Sequence, residues 1–200
     1  MPLPFCRPYR LAVALFALAA ASLQPAAAVP VSYGVDQRSG SIEFQVRSLG
    51  LLPVHGHFSR YMGQLSLDPQ DPARTRIDVE IDAGQIESPW PGVAPRLRSV
   101  AYFDAENFPR ITFRSTSVTP GTDRHFTLNG ILSIRGIERP LLLDVAAMRI
   151  AGGTVADVVA TGVLNRSEFG MLADPGLVSD RVRLTITWRI QLPPGAPAPT

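Results

Sequence analysis

Two clusters of side chains in this sequence have the types and spacing that catalysis or metal binding would need. His55 and His57 are two positions apart, so on a strand both imidazoles would lie on one face, a spacing that zinc sites use. No third ligand follows nearby, and the segment is more typical of solvent-facing histidines at a loop end. Asp78, Glu80 and Asp82 also alternate. They could form an acid–base cluster, but their alternation with isoleucine and valine favours a solvated outer strand face.

A third stretch, residues 97–115, interleaves aromatic residues with arginines. The aromatic residues are Tyr102, Phe103, Phe108 and Phe113, and the arginines are Arg98, Arg110 and Arg114. Such a pattern can indicate bases stacked beside phosphates, an apolar ligand site, or a strand and loop that fold onto a core.

Net charge argues against nucleic acid. All 19 basic residues are arginines, and Arg7 and Arg10 supply the whole excess over the 17 acidic residues. Without the first 28 residues the chain is formally neutral, so a nucleic-acid partner has no electrostatic support.

Other catalytic signatures are missing from the sequence. It contains no Gly-x-Ser-x-Gly elbow and no glycine-rich phosphate cradle, and Gly152-Gly153 is better interpreted as a hairpin turn. We therefore predict no enzyme activity, no catalytic residue, no metal and no cofactor.

The N-terminus has the pattern of a secretory signal peptide. Arg7 and Arg10 precede an apolar run over residues 11–23, and Ala26-Ala27-Ala28 supplies small residues for cleavage after Ala28. A run of this length is too short to span a bilayer as a helix, so we predict a secreted protein without a membrane span after cleavage. Cys6 would leave with residues 1–28. Residues 193–200, rich in proline, glycine and alanine, predict a disordered tail.

Between these ends, the dominant hydrophobic period is two. It is clearest in residues 41–49, 75–82 and 181–190, and weaker repeats bring the prediction to eight or nine strands. Only residues 84–107 form a long connection, with room for a short helical segment. The fold class is therefore predicted as all-β and antiparallel, either as two stacked sheets or as a closed barrel.

The apolar interior is the largest chemical resource that such a fold offers. Eight closed strands enclose just enough space to be filled by side chains or to hold one slender ligand. Composition and period leave both possibilities open.

Several segments resemble the signatures of the YceI family of secreted lipid-binding proteins. In chain order they are YGVD at 33–36, SIEFQV at 41–46, VHGHF at 54–58, LRSVAYFDAENFPRITFRS at 97–115, NGILSIRGIERPLLL at 129–143 and NRSEFGM at 165–171. The resemblance covers residues 31–192, and we expect one YceI-like domain over residues 29–192. It implies a closed, eight-stranded, lipocalin-like barrel that holds a long-chain isoprenoid, quinone or similar fatty amphiphile in the periplasm.

The same resemblance implies ligand-binding residues. We carry over Phe44, Arg98, Phe103 and Phe113 as lipid-pocket candidates, with Phe113 inside the barrel and Arg98 near its opening. Tyr102 and Phe108 would join Phe103 in a cap over the barrel mouth. The chain departs from the family where Ser39 and Ser48 replace frequent histidines and where residues 93–96 replace an Arg-Asp-x-His motif, so headgroup contacts made by those side chains are absent.

Two structural interpretations remain open beside the carrier hypothesis. A buried Arg166 paired with Glu168 would anchor the barrel floor, with Phe169 packed and Gly170 in a backbone conformation that other residues avoid. Alternatively, the protein is a stress-response or protein-interaction module with a packed, ligand-free barrel, and Trp90 in the loop 88–95 is its exposed anchor. A homodimer is compatible with either hypothesis.

Overall fold

The computed structural model describes residues 31–67, 71–149 and 155–191. The predictions for residues 1–28, Gly152-Gly153 and 193–200 lie outside the described residues. The described residues form eleven strands in a single sheet: β1 (Val31–Asp36), β2 (Gly40–Ser48), β3 (Leu52–Phe58), β4 (Tyr61–Leu67), β5 (Arg76–Asp82), β6 (Ile86–Glu87), β7 (Arg110–Pro120), β8 (His125–Ile134), β9 (Ile137–Arg149), β10 (Val155–Asn165) and β11 (Arg181–Gln191).

The strand order is β1-β4-β5-β7-β8-β9-β10-β11-β2-β3-β6. Every paired strand is antiparallel, which confirms the all-β antiparallel class. Alternate residues point to opposite faces of a strand, so the period-two pattern puts one apolar row of each strand on the same inner face. In β7, for example, Ile111 and Phe113 are buried while Thr112 and Arg114 are exposed.

The sheet curls into a half-barrel. A short turn joins β1, at one end of the strand order, to β2, which pairs with β11. Tyr61 on β4 and Trp188 on β11 lie far apart in the strand order, yet their ring centroids are 6.5 Å apart. This cross-contact requires the inner faces of β4 and β11 to turn toward each other.

The prediction of eight or nine strands is wrong, because the sheet of the described residues has eleven strands, two more than the nine segments predicted, and its order ends at β1 and β6. The additional elements are β3 and the two-residue β6. Pro53 and Gly56 interrupt the apolar alternation of β3, and both residue types are depleted in strands. β6 is too short to show any period.

The long connection between β6 and β7 crosses one end of the half-barrel, which we call the capped end. It contains the only α-helix among the described residues, α1 (Val93–Arg98), within the predicted range. Phe103 N donates to Leu97 O at 2.9 Å, and Ala105 N donates to Arg98 O at 2.9 Å. These bonds fold the segment after α1 back onto the helix and direct Tyr102 and Phe103 into the core.

Opposite-charge pairs cover the outer face of β5 and β7. Asp78 accepts from Arg114 at 2.9 Å, and Glu80 lies 3.3 Å from Arg110. These carboxylates are therefore part of a solvated surface and do not converge in a cleft. Within the described ranges, no helix is long and apolar enough to cross a membrane.

Candidate functional site

Side chains do not fill the concave face of the sheet; they leave a cavity of about 730 Å³. Its wall consists mainly of the inward apolar row of each strand from β1 to β5 and from β7 to β11, and the helix α1 covers its capped end. A volume of this size lies within the roughly 300–1,000 Å³ typical of small-molecule sites. The outward-facing residues of each strand do not line the cavity. The period-two sequence pattern therefore makes the cavity wall apolar.

Two phenylalanines on the wall lie over glycines of neighbouring strands. Phe44 on β2 is paired with Gly56 on β3, and a Cβ at Gly56 would overlap the Phe44 ring. The ring of Phe113 on β7 covers Gly130 on β8 in the same way. The missing side chains let both rings lie against the sheet, which keeps the centre of the cavity open.

Phe103 closes the cavity at the capped end. Its ring stands nearly perpendicular to Phe58, with centroids 5.8 Å apart and an interplanar angle of 85°, and it lies 6.5 Å from Phe44 at 61°. Edge-to-face pairs of this kind stabilise an aromatic cluster beyond simple area burial. The cluster joins the long connection to β2 and β3.

The polar part of the wall is concentrated at the same end, in a group that we call the Arg96 latch. Arg96 on α1 forms an ion pair with Asp174 at 2.5 Å. The hydroxyl of Tyr102 donates to Asp174 Oδ2, also at 2.5 Å, and the Arg96 guanidinium carbon lies 5.8 Å from the centre of the Tyr102 ring. The three side chains line the cavity and link the long connection to the loop that precedes β11.

Charge and burial set the protonation of the latch. The hydrogen bond from Arg96, and then that from Tyr102, lowers the pKa of the Asp174 carboxyl below its ordinary value. Burial, followed by the hydrogen bond to Asp174, raises the pKa of Tyr102. Asp174 is therefore a carboxylate and Tyr102 a neutral donor throughout the neutral range.

Arg166 is a buried cation beside the latch. It is 6% exposed, and its guanidinium donates to the carbonyl oxygens of Met171 at 2.5 Å, Val178 at 3.1 Å and Ser179 at 3.2 Å. The predicted pairing with Glu168 is wrong, because Glu168 instead accepts from Asn165 at 3.0 Å. Arg166 and Glu168 lie on a short 3-10 turn, whose local geometry directs the arginine inward and leaves the carboxylate exposed.

Phe169 and Gly170, which follow in the chain, match their predicted structural roles. Phe169 is 1% exposed, and Gly170 has a φ of 74°, in the left-handed region that glycine enters without strain. Arg135 donates to Gly170 O at 2.8 Å and to Tyr102 O at 3.1 Å. It therefore ties the turn to the segment that carries the latch.

The cavity brings together three of the four predicted pocket residues. Phe44, Phe103 and Phe113 lie on its wall. Arg98 lies outside the wall: its side chain donates to Ile86 O at 3.2 Å, and the residue is exposed. Contact of these residues with a ligand stays a prediction.

Sequence reasoning missed the polar residues Arg96 and Asp174. The signal for Arg96 was present, because residues 93–96 are the point where the chain departs from the Arg-Asp-x-His pattern. Asp174 offered no signal, since the loop before β11 has neither a hydrophobic period nor a motif. Its φ of 51° places it in a conformation that aspartate tolerates better than most residues.

Metal-ligating side chains do not converge in the part of the chain that the structure describes, where no group of three or more His, Cys, Asp or Glu residues could hold an ion. His57 lies 3.4 Å from Glu87, whereas His55 is exposed at the surface.

A curled antiparallel sheet around a large apolar cavity defines the chain as a β-barrel-like protein. The sequence profile of the YceI-like domain matches residues 33–190, and the chain belongs to the YceI family. A UPF0312 protein of Shewanella baltica is 29% identical over 175 residues, covering 84% of this chain and 92% of the relative. Protein YceI of Salmonella arizonae is 26% identical over 178 residues, covering 86% and 93%.

Solved structures share the fold. The crystal structure of Burkholderia cenocepacia BcnA superposes with a TM-score of 0.72 at 20% identity, covering 78% of this chain and 99% of that one. A polyisoprenoid binding domain from Saccharophagus degradans, implicated in plant cell wall breakdown, gives a TM-score of 0.61 at 14% identity, covering 82% and 100%. At these identities the similarity establishes the fold alone.

Proposed function

We propose that the protein is a secreted periplasmic binding protein that holds a long-chain isoprenoid, quinone or similar amphiphilic lipid in its cavity, for transport or storage, without catalysing a reaction. The single observation that carries the proposal is the apolar cavity of about 730 Å³. Burial of apolar ligand surface is worth about 25 cal/mol per Å². A ligand that buries roughly 400 Å² would thus gain about 10 kcal/mol before the cost of association is subtracted.

The asymmetry of the wall orients the ligand. An isoprenoid or acyl chain has no group that can satisfy Arg96, Tyr102 or Asp174, so the chain occupies the apolar part and the polar head lies at the latch. Arg96 has guanidinium N–H groups beyond those bonded to Asp174, and it offers them as donors to a carbonyl, hydroxyl or phosphate oxygen, which are the head groups of quinones and isoprenoid alcohols or their phosphates. Phe44, Phe103 and Phe113 then contact the chain. We propose that Arg98 holds the long connection in place through its hydrogen bond to Ile86 O.

Secretion is supported by the signal-peptide pattern of residues 1–28 and by the resemblance to a family of secreted proteins. The closed barrel that the family resemblance implies stays part of this proposal. The alternative function, an interaction module with a packed barrel, is opposed by the cavity but favoured by Trp90, which is 53% exposed. A homodimer is compatible with both.

Lipid extraction followed by mass spectrometry tests the proposal. The full-length chain is expressed in a bacterial host, and native mass spectrometry of the purified protein should reveal an adduct that organic extraction removes. Phe113→Arg places a charge on the cavity wall and should reduce the occupied fraction by more than tenfold, because burying an unpaired cation is costly.

Thr112→Arg is the matched control, since Thr112 adjoins Phe113 on β7 but points outward and is exposed. It should leave occupancy unchanged. Protein that carries no lipid from the host and takes up neither a quinone nor an isoprenoid alcohol in vitro would reject the carrier function. Loss of a binding partner on Trp90→Ala in such lipid-free protein would favour the interaction module.

A further inference from the structure

Exposed leucines cluster at the capped end of the half-barrel, in a feature that we call the apolar tip. The tip consists of Leu49, Leu51 and Leu52 in the turn between β2 and β3, with Leu172 and Leu177 in the loop before β11. Leu51 is 85% exposed, Leu172 67% and Leu49 61%. Single exposed leucines are common on protein surfaces, whereas a contiguous group marks a binding surface.

Backbone hydrogen bonds hold the two halves of the tip together. Leu49 N donates to Leu177 O at 2.7 Å, and Ser179 N donates to Arg47 O at 2.8 Å. A bridge between Ser48 and Val178 lies between these bonds. The leucines are thus presented by a fixed backbone.

Leu49 has a backbone conformation that leucine rarely adopts. Its φ is 52°, in the left-handed region where a residue other than glycine or asparagine is strained. A glycine or asparagine would hold the same turn at lower cost, and a leucine in this conformation directs an apolar side chain into solvent.

Arginines outnumber acidic residues around the tip. Residues 48–54 carry no charge, and the only charged residue among 170–179 is Asp174, which is paired with Arg96. On the strands that lead to the tip, Arg47, Arg181 and Arg183 are exposed. Among the described residues none of the three forms an ion pair.

The nearest acidic side chains in the sequence, Asp180 and Glu43, accept hydrogen bonds from neutral serines and keep their charge. Asp180 accepts from Ser167 N and Oγ at 2.8 Å, and Glu43 accepts from Ser41 Oγ at 2.9 Å. Like charges on neighbouring strands destabilise a sheet. Three arginines against these two carboxylates therefore leave a rim of net positive charge beside an uncharged apolar tip.

The tip adjoins the polar end of the cavity. A concavity of about 380 Å³ lies between Gly50 and Leu172. Arg166, Met171 and Val178 line both this concavity and the main cavity. A surface that docks on the tip would therefore face the polar end where the latch lies.

We propose that the apolar tip docks the protein on an anionic lipid bilayer, with the leucines in the acyl boundary and Arg47, Arg181 and Arg183 on the phosphates. Apolar side chains flanked by cations are the combination that binds bilayer surfaces. A second copy fits less well, because a two-fold contact centred on the tip would bring both arginine rims to one interface. Docking goes beyond the proposed function, since it does not require an occupied cavity.

Vesicle flotation tests this docking surface. The full-length chain is expressed in a bacterial host, and the intact mass of the purified protein identifies its first residue, which all variants share. The wild type should float with vesicles of phosphatidylethanolamine and phosphatidylglycerol (3:1), and less with phosphatidylcholine alone. Leu51→Ser with Leu172→Ser should weaken binding about tenfold or more. Arg47→Gln with Arg183→Gln should weaken it about fivefold per arginine at low salt.

Met62→Ser with Leu142→Ser is the matched control, since these residues are exposed apolar side chains on β4 and β9, outside the tip. This variant should float like the wild type. Equal flotation of the tip variant and the wild type would overturn the proposal. It would also be overturned if sedimentation showed a wild-type dimer that the tip variant dissociates, since the tip would then be an interface between copies. Lipid occupancy, measured by native mass spectrometry on the same samples, should stay unchanged in the tip variant, so failure of docking is distinguishable from failure of lipid binding.

Discussion

At the scale of single residues, the burial of Arg166 predicts a large contribution to stability. Three carbonyl oxygens accept hydrogen bonds from its guanidinium, and Arg166→Met would leave all three without that donor. We expect the free energy of unfolding to fall by about 2–4 kcal/mol, measured by urea denaturation. Arg139→Met, at an exposed position, is the control and should change it by less than about 0.5 kcal/mol. A similar small change for Arg166→Met would contradict a structural role for these bonds.

The glycines beneath the aromatic rings give a second residue-scale prediction. Gly130→Ala introduces a methyl group where the Phe113 ring lies, so the ring must move toward the cavity. We expect lower lipid occupancy in native mass spectrometry and a lower melting temperature. Gly34→Ala is the control, because a Cβ there meets no atom within 4 Å. An unchanged occupancy in Gly130→Ala would show that the Phe113 ring does not limit the cavity.

The sequence predicted the positions of some side chains in the site but not their hydrogen-bond partners. Phe44 and Phe113 were chosen as pocket residues from the family resemblance, and the alternation of β2 and β7 agrees with that choice, because a strand fixes the direction of each side chain. The partner of Arg166 did not follow, because the guanidinium finds backbone carbonyls in a loop whose path no local pattern specifies. Asp174 was missed for the same reason: it lies 72 residues from Tyr102, and only the tertiary fold brings them together.

At the scale of elements, the Arg96 latch joins the long connection to the loop before β11, and its strength depends on pH. Because folding lowers the pKa of Asp174, the carboxylate stabilises the fold above the unfolded-state pKa of about 3.9. That contribution is lost as the pH falls through the lower folded-state value. Wild type should therefore melt above Asp174→Asn at pH 7, and the difference should shrink below about pH 3.9.

Asp123→Asn is a matched control for this experiment. Asp123 has a φ of 55°, similar to that of Asp174, and asparagine tolerates this conformation. Its substitution should leave the melting temperature within a degree or two of wild type at both pH values. If the melting temperatures of wild type and Asp174→Asn instead differ as much in acid as at pH 7, that result would exclude the carboxylate as the source of the difference.

Some strands could be predicted from the sequence and others could not. Long strands with uninterrupted alternation, such as β5 and β11, were visible because burial of one face imposes the period. β3 was not, since Pro53 and Gly56 break its pattern, and Gly56 is there to accommodate the Phe44 ring from the neighbouring strand. The sequence feature that hid the strand is thus a consequence of the packing that forms the cavity wall.

For the whole molecule, the cavity is a departure from the dense packing that stabilises other protein interiors. If the cavity serves ligand binding, a side chain that fills it should raise the free energy of unfolding and at the same time reduce lipid binding. Ala160→Leu adds apolar volume on the cavity wall, so lipid-free protein should gain about 1 kcal/mol in unfolding free energy, while lipid occupancy falls. Ala146→Leu is the control, because Ala146 lies on β9 between two residues that line the cavity, Val145 and Ala147, and therefore points away from it. This substitution should neither raise the free energy of unfolding nor lower lipid occupancy. Calorimetry of delipidated protein and native mass spectrometry of purified protein measure the two effects separately. Loss of stability in Ala160→Leu would mean that the wall cannot accept the added side chain, and undiminished occupancy would place the lipid elsewhere.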